Sequence, residues 1–224
     1  TFARGVNYRQ NYINDTLDED WLWLYGLYIA EGSLSGDRVS YKRIQIDIHE
    51  LEFEEVSRRL DKLELNYQHY PNKNDRGYRI HINSAPLFDW LEKYGHRGSH
   101  NKEIAPWVYG LEYKYRKAVF DGATYGDGYI KDQEKDQREY STTSIKLIYS
   151  LGLLATTLGY SDAPYCVPAP TKEIFIGERQ IFPGLSYGSL YQPVSNQAKS
   201  RFMFYGDKAF IAPNSTTLAG IDVN

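Results

Sequence analysis

Two hydrophobic rhythms divide the chain into elements. TLDEDWLWLYGLYIAE is almost continuously apolar after Asp20, and Thr16 and Glu19 stand at capping-box spacing, which predicts a buried helix from Thr16 to about Glu31, stopped by Gly32. In RIQIDIH, Ile44, Ile46 and Ile48 alternate with Arg43, Gln45, Asp47 and His49, the period-two pattern of a strand with one buried face. ELEFEEVSRRLDKLEL then sets Phe53, Val56, Leu60 and Leu63 on one face of an amphipathic helix with an acidic outside. RGYRIHIN predicts another strand, with Tyr78, Ile80 and Ile82 inward and Arg79, His81 and Asn83 outward; a short helix over about Pro86 to Tyr94 follows.

Beyond the linker-like HRGSHNKE the order recurs. LEYKYRKAVFDGATYGDG matches the opening helix and ends in Asp127 and Gly128. REYSTTS, with Arg138 in it, reads as a strand, and IKLIYSLGLLATTLGY places Ile148, Leu151, Ala155 and Leu158 at helical spacing. KEIFIGE, which includes Lys172, and GLSYGSLYQ supply further strands, and a short helix is expected near Ser195 to Phe204. The layout implies two diverged copies of one unit, over residues 1–98 and 99–224.

Composition narrows the class. With 224 residues, 42% of them hydrophobic, the chain supports a substantial core. No run is apolar and long enough for a membrane helix, and TFARGVNYRQNY lacks the apolar centre of a signal peptide, so an intracellular, membrane-free location is expected. The single Cys166 excludes an internal disulfide and a cysteine-rich zinc site. A net charge of −3 gives no overall basic signature, so any nucleic-acid contact depends on where the charges sit.

Gly26 and Ala30 share one face of the first opening helix, as Gly122 and Gly126 do on the second, and small residues let two backbones come close. If those faces meet, Glu31 and Asp127 come together. An acid in the last turn of a helix opposes the dipole, and two such acids repel unless a proton or a cation intervenes. Mg²⁺ or Mn²⁺ resolves the conflict, because hard cations take carboxylate and backbone carbonyl oxygens; Ala30 and Gly126 are the candidate carbonyl donors. The alternative is a pair of solvated acids beside glycine stops.

LYGLYIAEG and FDGATYGDG resemble the two motifs of a single-chain LAGLIDADG homing endonuclease, and the resemblance extends over roughly residues 18 to 205. Tyr125 stands where the motif often has an acid, and Asp121 and Thr124 interrupt a usually more apolar helix. The resemblance implies an α+β fold of two pseudo-symmetric αββαββα repeats, the marked helices at the centre and antiparallel sheets forming a DNA-binding saddle. It further implies a monomer that cuts double-stranded DNA at a long specific site, leaving short 3′ overhangs, in the setting of intron or intein homing. Glu31 and Asp127 would be catalytic metal ligands, with Lys131 and His49 as auxiliary basic residues. Arg43, Gln45, Asp47, Arg79, His81 and Asn83, then Arg138 and Lys172, carry donors and acceptors suited to base edges and phosphates.

Other signals are weaker. LAGID, over Leu218 to Asp222, copies motif letters but has no room for a helix and no following acid and glycine. His69, His96 and His100 lack zinc-ligand spacing, and no splicing module is visible ahead of the first motif. A non-cutting binder on the same scaffold, a maturase or transcription factor, is the alternative function. A glycosidase using the paired acids is a third; it would need no divalent metal.

Overall fold

The computed structural model of the protein describes residues 18–36, 42–72, 76–167, 174–176, 179–181, 186–194, 202–205 and 208–211. Helix α1 (Glu19–Glu31) is buried from Asp20 to Ile29, as its unbroken apolar composition requires. Its cap is Asp18, whose side chain accepts the Asp20 N–H at 2.7 Å, so the helix begins later than the Thr16 start that the capping-box spacing suggests. Thr16 lies outside the described residues. Asp20 is buried and held by Arg59 and Lys62, and the Arg59 guanidinium stacks 4.3 Å over the Trp23 ring. A buried carboxylate at a helix N-terminus is tolerable because it faces both the dipole and two cations.

After α1 come β1 (Gly32–Ser35), β2 (Arg43–His49), a 3₁₀ turn at Glu50–Glu52, α2 (Phe53–Lys62), β3 (Tyr67–Pro71), β4 (Gly77–Ile82) and α3 (Ala85–Tyr94). The strands form an antiparallel sheet in the order β1-β2-β4-β3. Ile44 lies opposite Ile82 and Ile46 opposite Ile80, so the buried face anticipated from the alternation packs against the helices. Val56, Leu60 and Leu63 close over that face.

The second unit repeats the plan with α4 (Tyr113–Gly126), β5 (Gly128–Asp132), β6 (Gln137–Thr142), α5 (Ile145–Thr157), β7 (Tyr160–Val167) and β10 (Ser186–Pro193). Its antiparallel sheet runs β5-β6-β10-β7, the same order as the first with β10 in the place of β4. Between β7 and β10 stands a small hairpin, β8 (Ile174–Ile176) and β9 (Arg179–Ile181). Near the end, β11 (Phe202–Tyr205) pairs with β12 (Lys208–Ile211), so at 202–205 a strand stands where a helix was expected. Residues 195–201, Lys172 and LAGID fall outside the described residues.

Helices α1 and α4 lie side by side at the centre. A β-carbon built on Gly26 would overlap the Val119 carbonyl oxygen and stand 2.8 Å from the Ala123 nitrogen; one on Gly122 would overlap the Trp23 carbonyl oxygen and stand 3.0 Å from the Leu27 nitrogen. Backbone therefore meets backbone at both glycines, the close approach anticipated from the small-residue rows.

Candidate active site

The closeness of the two helices decides where their ends lie. A β-carbon on Gly126 would stand 2.8 Å from Glu31 Cγ and 2.9 Å from Ala30 Cβ, so the last turn of α4 abuts the last turn of α1. Glu31, half-buried, and Asp127, which ends α4, are hydrogen-bonded neighbours. Burial first and the Asp127 charge second push the Glu31 carboxyl up to about 8, with Glu52 and Asp47 adding negative charge. Asp127 is also raised by the protein packed around its carboxyl, although its residue surface opens to solvent; the proton on Glu31 and the charge of Lys102 ease it. One proton is thus shared between two acids, as expected when like charges meet at two negative helix ends.

Lys102 was not singled out in the sequence, where it reads as one more polar residue of HRGSHNKE. It is 3% exposed. Its Nζ donates to the Gly32 carbonyl at 2.6 Å and to the Tyr28 carbonyl, two acceptors at the end of α1, and lies 4.0 Å over the Tyr28 ring. Burial pulls the ammonium down to about 7 against the opposing pull of Asp127 and Glu31. Beside Asp127 a cavity of about 350 Å³ is lined by Ala30, Lys102, Ser99, Ser141, Thr143 and Ser186 among others. The donor set here is hard oxygen: two carboxylates and the carbonyl-rich ends of two helices, which suits Mg²⁺, Mn²⁺ or Ca²⁺. Among the described residues no three His, Cys, Asp or Glu side chains gather around one point, so side chains alone would not fill a coordination sphere.

The outward face of the first sheet carries the polar residues singled out in the strands. Across β1, β2, β4 and β3 one row reads Ser33, Gln45, His81 and Gln68; a second reads Asp47, Arg79 and Tyr70. Asp47 joins the rows, accepting from Gln45 Nε2 at 2.6 Å and from Arg79 Nε at 2.8 Å. Arg43 lies beside Ser35 on the same face, and the exposed Asn83 just past β4. Burial and the charges of Arg43 and Arg79 depress the His81 pKa. On the second sheet the outward positions are different in kind. Tyr165 lies across Gly188 and donates to Glu139 at 2.6 Å, and Lys131 stands 3.9 Å from Glu139.

Three of the expected residues, Arg138, His49 and Lys131, have other partners. Arg138 does not face outward: it shares the inner side of β6 with buried Tyr140, its side chain is 13% exposed, and it pairs with Asp121 at 2.7 Å and Asp136 at 2.8 Å. The alternation of β6 dictates this, because Arg138 and Tyr140 are two apart. Arg138 is thus held in a part-buried ion-pair cluster on the inner side of the sheet, not at the outward position expected of it. His49 accepts the Leu51 N–H through Nδ1 and, with Glu52, caps the 3₁₀ turn. Lys131 is exposed on β5 and ion-paired to Glu139. The His96 carbonyl accepts from Tyr28 and its ring pairs with Glu103, while the His100 ring lies within hydrogen-bond distance of the Thr143 carbonyl.

This arrangement is the fold of the homing endonuclease I-DmoI. Over 81% of this chain and 86% of that one, the structure of I-DmoI in complex with DNA and Ca superposes with a TM-score of 0.51 at 13% sequence identity. I-DmoI has also been solved with DNA and Mn, and a variant of it with its target DNA and Mg. No family model matches the chain. By sequence it is 29% identical over 165 residues to the DNA-directed RNA polymerase subunit Rpo1C of Methanocaldococcus jannaschii, covering 73% of this chain and 18% of that protein. It is 31% identical over 149 residues to the ATP-dependent DNA helicase Hel308 of Thermococcus kodakarensis, covering 62% and 13%. The chain thus spans less than a fifth of the length of these relatives. No described helix is long and apolar enough to cross a membrane.

Proposed function

We propose that the protein is a divalent-metal-dependent, sequence-specific DNA endonuclease of the LAGLIDADG homing type, acting as a monomer through its two units, residues 1–98 and 99–224. The observation that carries this reading is the meeting of Glu31 and Asp127 at the ends of two helices packed backbone to backbone. Glu31 and Asp127 would hold Mg²⁺ or Mn²⁺, with the carbonyls of Ala30 and Gly126 completing the protein's share. When bound, the cation neutralises charge on a phosphoryl group and lowers the pKa of water. To hold it, Glu31 and Asp127 would both have to be ionised, so the raised Glu31 carboxyl would give up its proton.

The outward faces of the two sheets would then lie against the major groove as a saddle. On the first sheet Arg43, Gln45, Arg79, His81, Gln68 and Asn83 offer both donors and acceptors, the mixture that base edges require, while Asp47 fixes two of them in place. Lys131 and His49 would be the auxiliary basic residues, each released from its present partner, and the cut would leave short 3′ overhangs. That one stretch recurs in a polymerase subunit and a helicase, at less than a fifth of each, supports a mobile module of the kind that homing spreads.

Incubation of the protein with a randomised duplex library tests the reading. Double-strand scission in Mg²⁺ that EDTA abolishes supports it. Retention of selected duplexes without scission in any divalent metal replaces it with the non-cutting binder on the same scaffold.

A further inference from the structure

Gly32 pairs with Ile46 as Gly128 pairs with Tyr140, so the two sheets can be set in register, and their outward faces then differ position by position. One row of the second sheet reads Tyr129, Glu139, Leu190 and Ala163, and the next reads Ser141, Gly188 and Tyr165. Leu190 therefore stands where the first sheet has His81, Gly188 where it has Arg79, and Glu139 where it has Gln45. Neither row holds an arginine, lysine or histidine. What replaces the cations is apolar surface turned to solvent: Tyr129 is 67% exposed and Tyr165 40%. The alternation of the strands keeps these residues outward, because Tyr140 and Tyr191 are buried on the other face. A β-carbon on Gly188 would overlap the Tyr165 ring, so the bare glycine lets that ring lie across β10, with its hydroxyl on Glu139 at 2.6 Å.

We propose that the second sheet reads its half of the DNA target through thymine methyl groups: Tyr129, Tyr165 and Leu190 pack against them, and Glu139 accepts from a cytosine or adenine amino group and excludes guanine. In the major groove the thymine methyl is the apolar group that such a surface can match, and guanine presents only acceptors to a carboxylate. Lys131, 3.9 Å from Glu139, offsets the negative charge that Glu139 would bring towards phosphates. The first sheet reads its half by hydrogen bonds from Arg79, His81 and Gln45, so the two halves of the target differ in chemistry. This inference rests on the proposed placement of both sheets against the major groove.

The duplex selected from a randomised library is rebuilt with deoxyuridine for thymidine, one half at a time, and affinity is read by gel shift in Ca²⁺, a measurement that needs no cutting. In the half under the second sheet each contacted methyl that is removed weakens binding roughly fourfold, the scale of one buried CH₂ group, while the other half stays within about twofold. 5-Iododeoxyuridine at the same positions carries iodine in place of the methyl and assigns the halves: irradiation cross-links the second sheet's half to Tyr129 or Tyr165. Reselection with Glu139→Gln admits guanine at a position from which wild type excludes it, because the amide donates as well as accepts. Equal uracil losses in the two halves, cross-links to neither tyrosine, or an unchanged reselection overturn the inference and leave DNA binding standing. Binding with these preferences but without scission counts against the nuclease reading alone, and retention of no duplex ends both.

Discussion

Gly122 of α4 rests against the main chain of Trp23 in α1, closely enough that a β-carbon there would overlap the Trp23 carbonyl oxygen. The atom it would meet is backbone, with no flexible side chain to move aside. Gly122→Ala must part the helices and is expected to cost about 1–3 kcal/mol, the range for overpacking, with a fall of roughly 2–4 °C in Tm per kcal/mol. Thermal melts followed by circular dichroism measure this. Gly110→Ala is the control: a β-carbon there has nothing within 4 Å, and its melt should match wild type.

The same closeness makes the acids act as a unit. Glu31→Gln and Asp127→Asn each remove a proposed metal ligand without altering the outward face of either sheet. Cleavage of a selected duplex is expected to fall by more than the roughly 10–100-fold that a supporting residue behind a ligand is worth. Affinity for the duplex, measured by gel shift in Ca²⁺, stays within a few-fold of wild type. Loss of affinity with turnover preserved would remove the acids from the active centre.

The shared proton gives metal-free stability a pH dependence of known sign. Glu31 is raised from 4.5 to about 8, so its folded state favours the protonated form; the associated stability is complete below about 4.5 and is lost as pH rises towards 8. Lys102, lowered from 10.5 to about 7, acts oppositely between those values, because there the unfolded chain binds more protons. The unfolding midpoint in EDTA should therefore decline from about pH 4.5 to about 7, and Glu31→Gln should flatten that decline. Added Mn²⁺ should restore the wild-type midpoint at the alkaline end of the window by binding the native state alone.

Arg138 and Arg79 are expected to differ although both are strand arginines. Removing the part-buried Arg138 takes their common partner from Asp121 and Asp136, and Arg138→Ala should cost about 2 kcal/mol, the scale of hydrogen bonds to charged groups. Arg79 is 46% exposed and its pairing with Asp47 is a surface one. Arg79→Ala should leave the Tm nearly unchanged and relax preference at one or two adjacent base pairs by about 1–3 kcal/mol, read from selection on a randomised library.

Periodicity made much of this legible. Ile44, Ile46 and Ile48 announced β2, and the matched glycines announced the helix pair that brings Glu31 and Asp127 together. Strands β1 and β3 gave no such signal. GSLS is too short to show alternation, and YQHYP is an edge strand whose inward residues, Tyr67 and His69, are not simple hydrophobes. Arg138 misled because a charged residue on a strand suggests the outward face, whereas Asp121 and Asp136 pay for turning it inward. Lys102 was invisible for the opposite reason. Nothing local distinguishes a lysine in solvent from one whose partners lie 70 and 74 residues earlier.

Those long-range bonds bear on how the polypeptide could be divided. Tyr25 donates to the Tyr94 carbonyl at 2.9 Å and accepts from the Ala105 N–H at 3.1 Å; Tyr28 donates to the His96 carbonyl at 2.7 Å. Residues 94–105 therefore clothe the first central helix while leading into the second. A scission anywhere within this wrapping would strip one fragment of its cover, so a two-piece version that reassembles must keep the wrapping whole, with the break placed after Ala105. During synthesis the opening helix likewise waits, part-bare, until that stretch has left the ribosome.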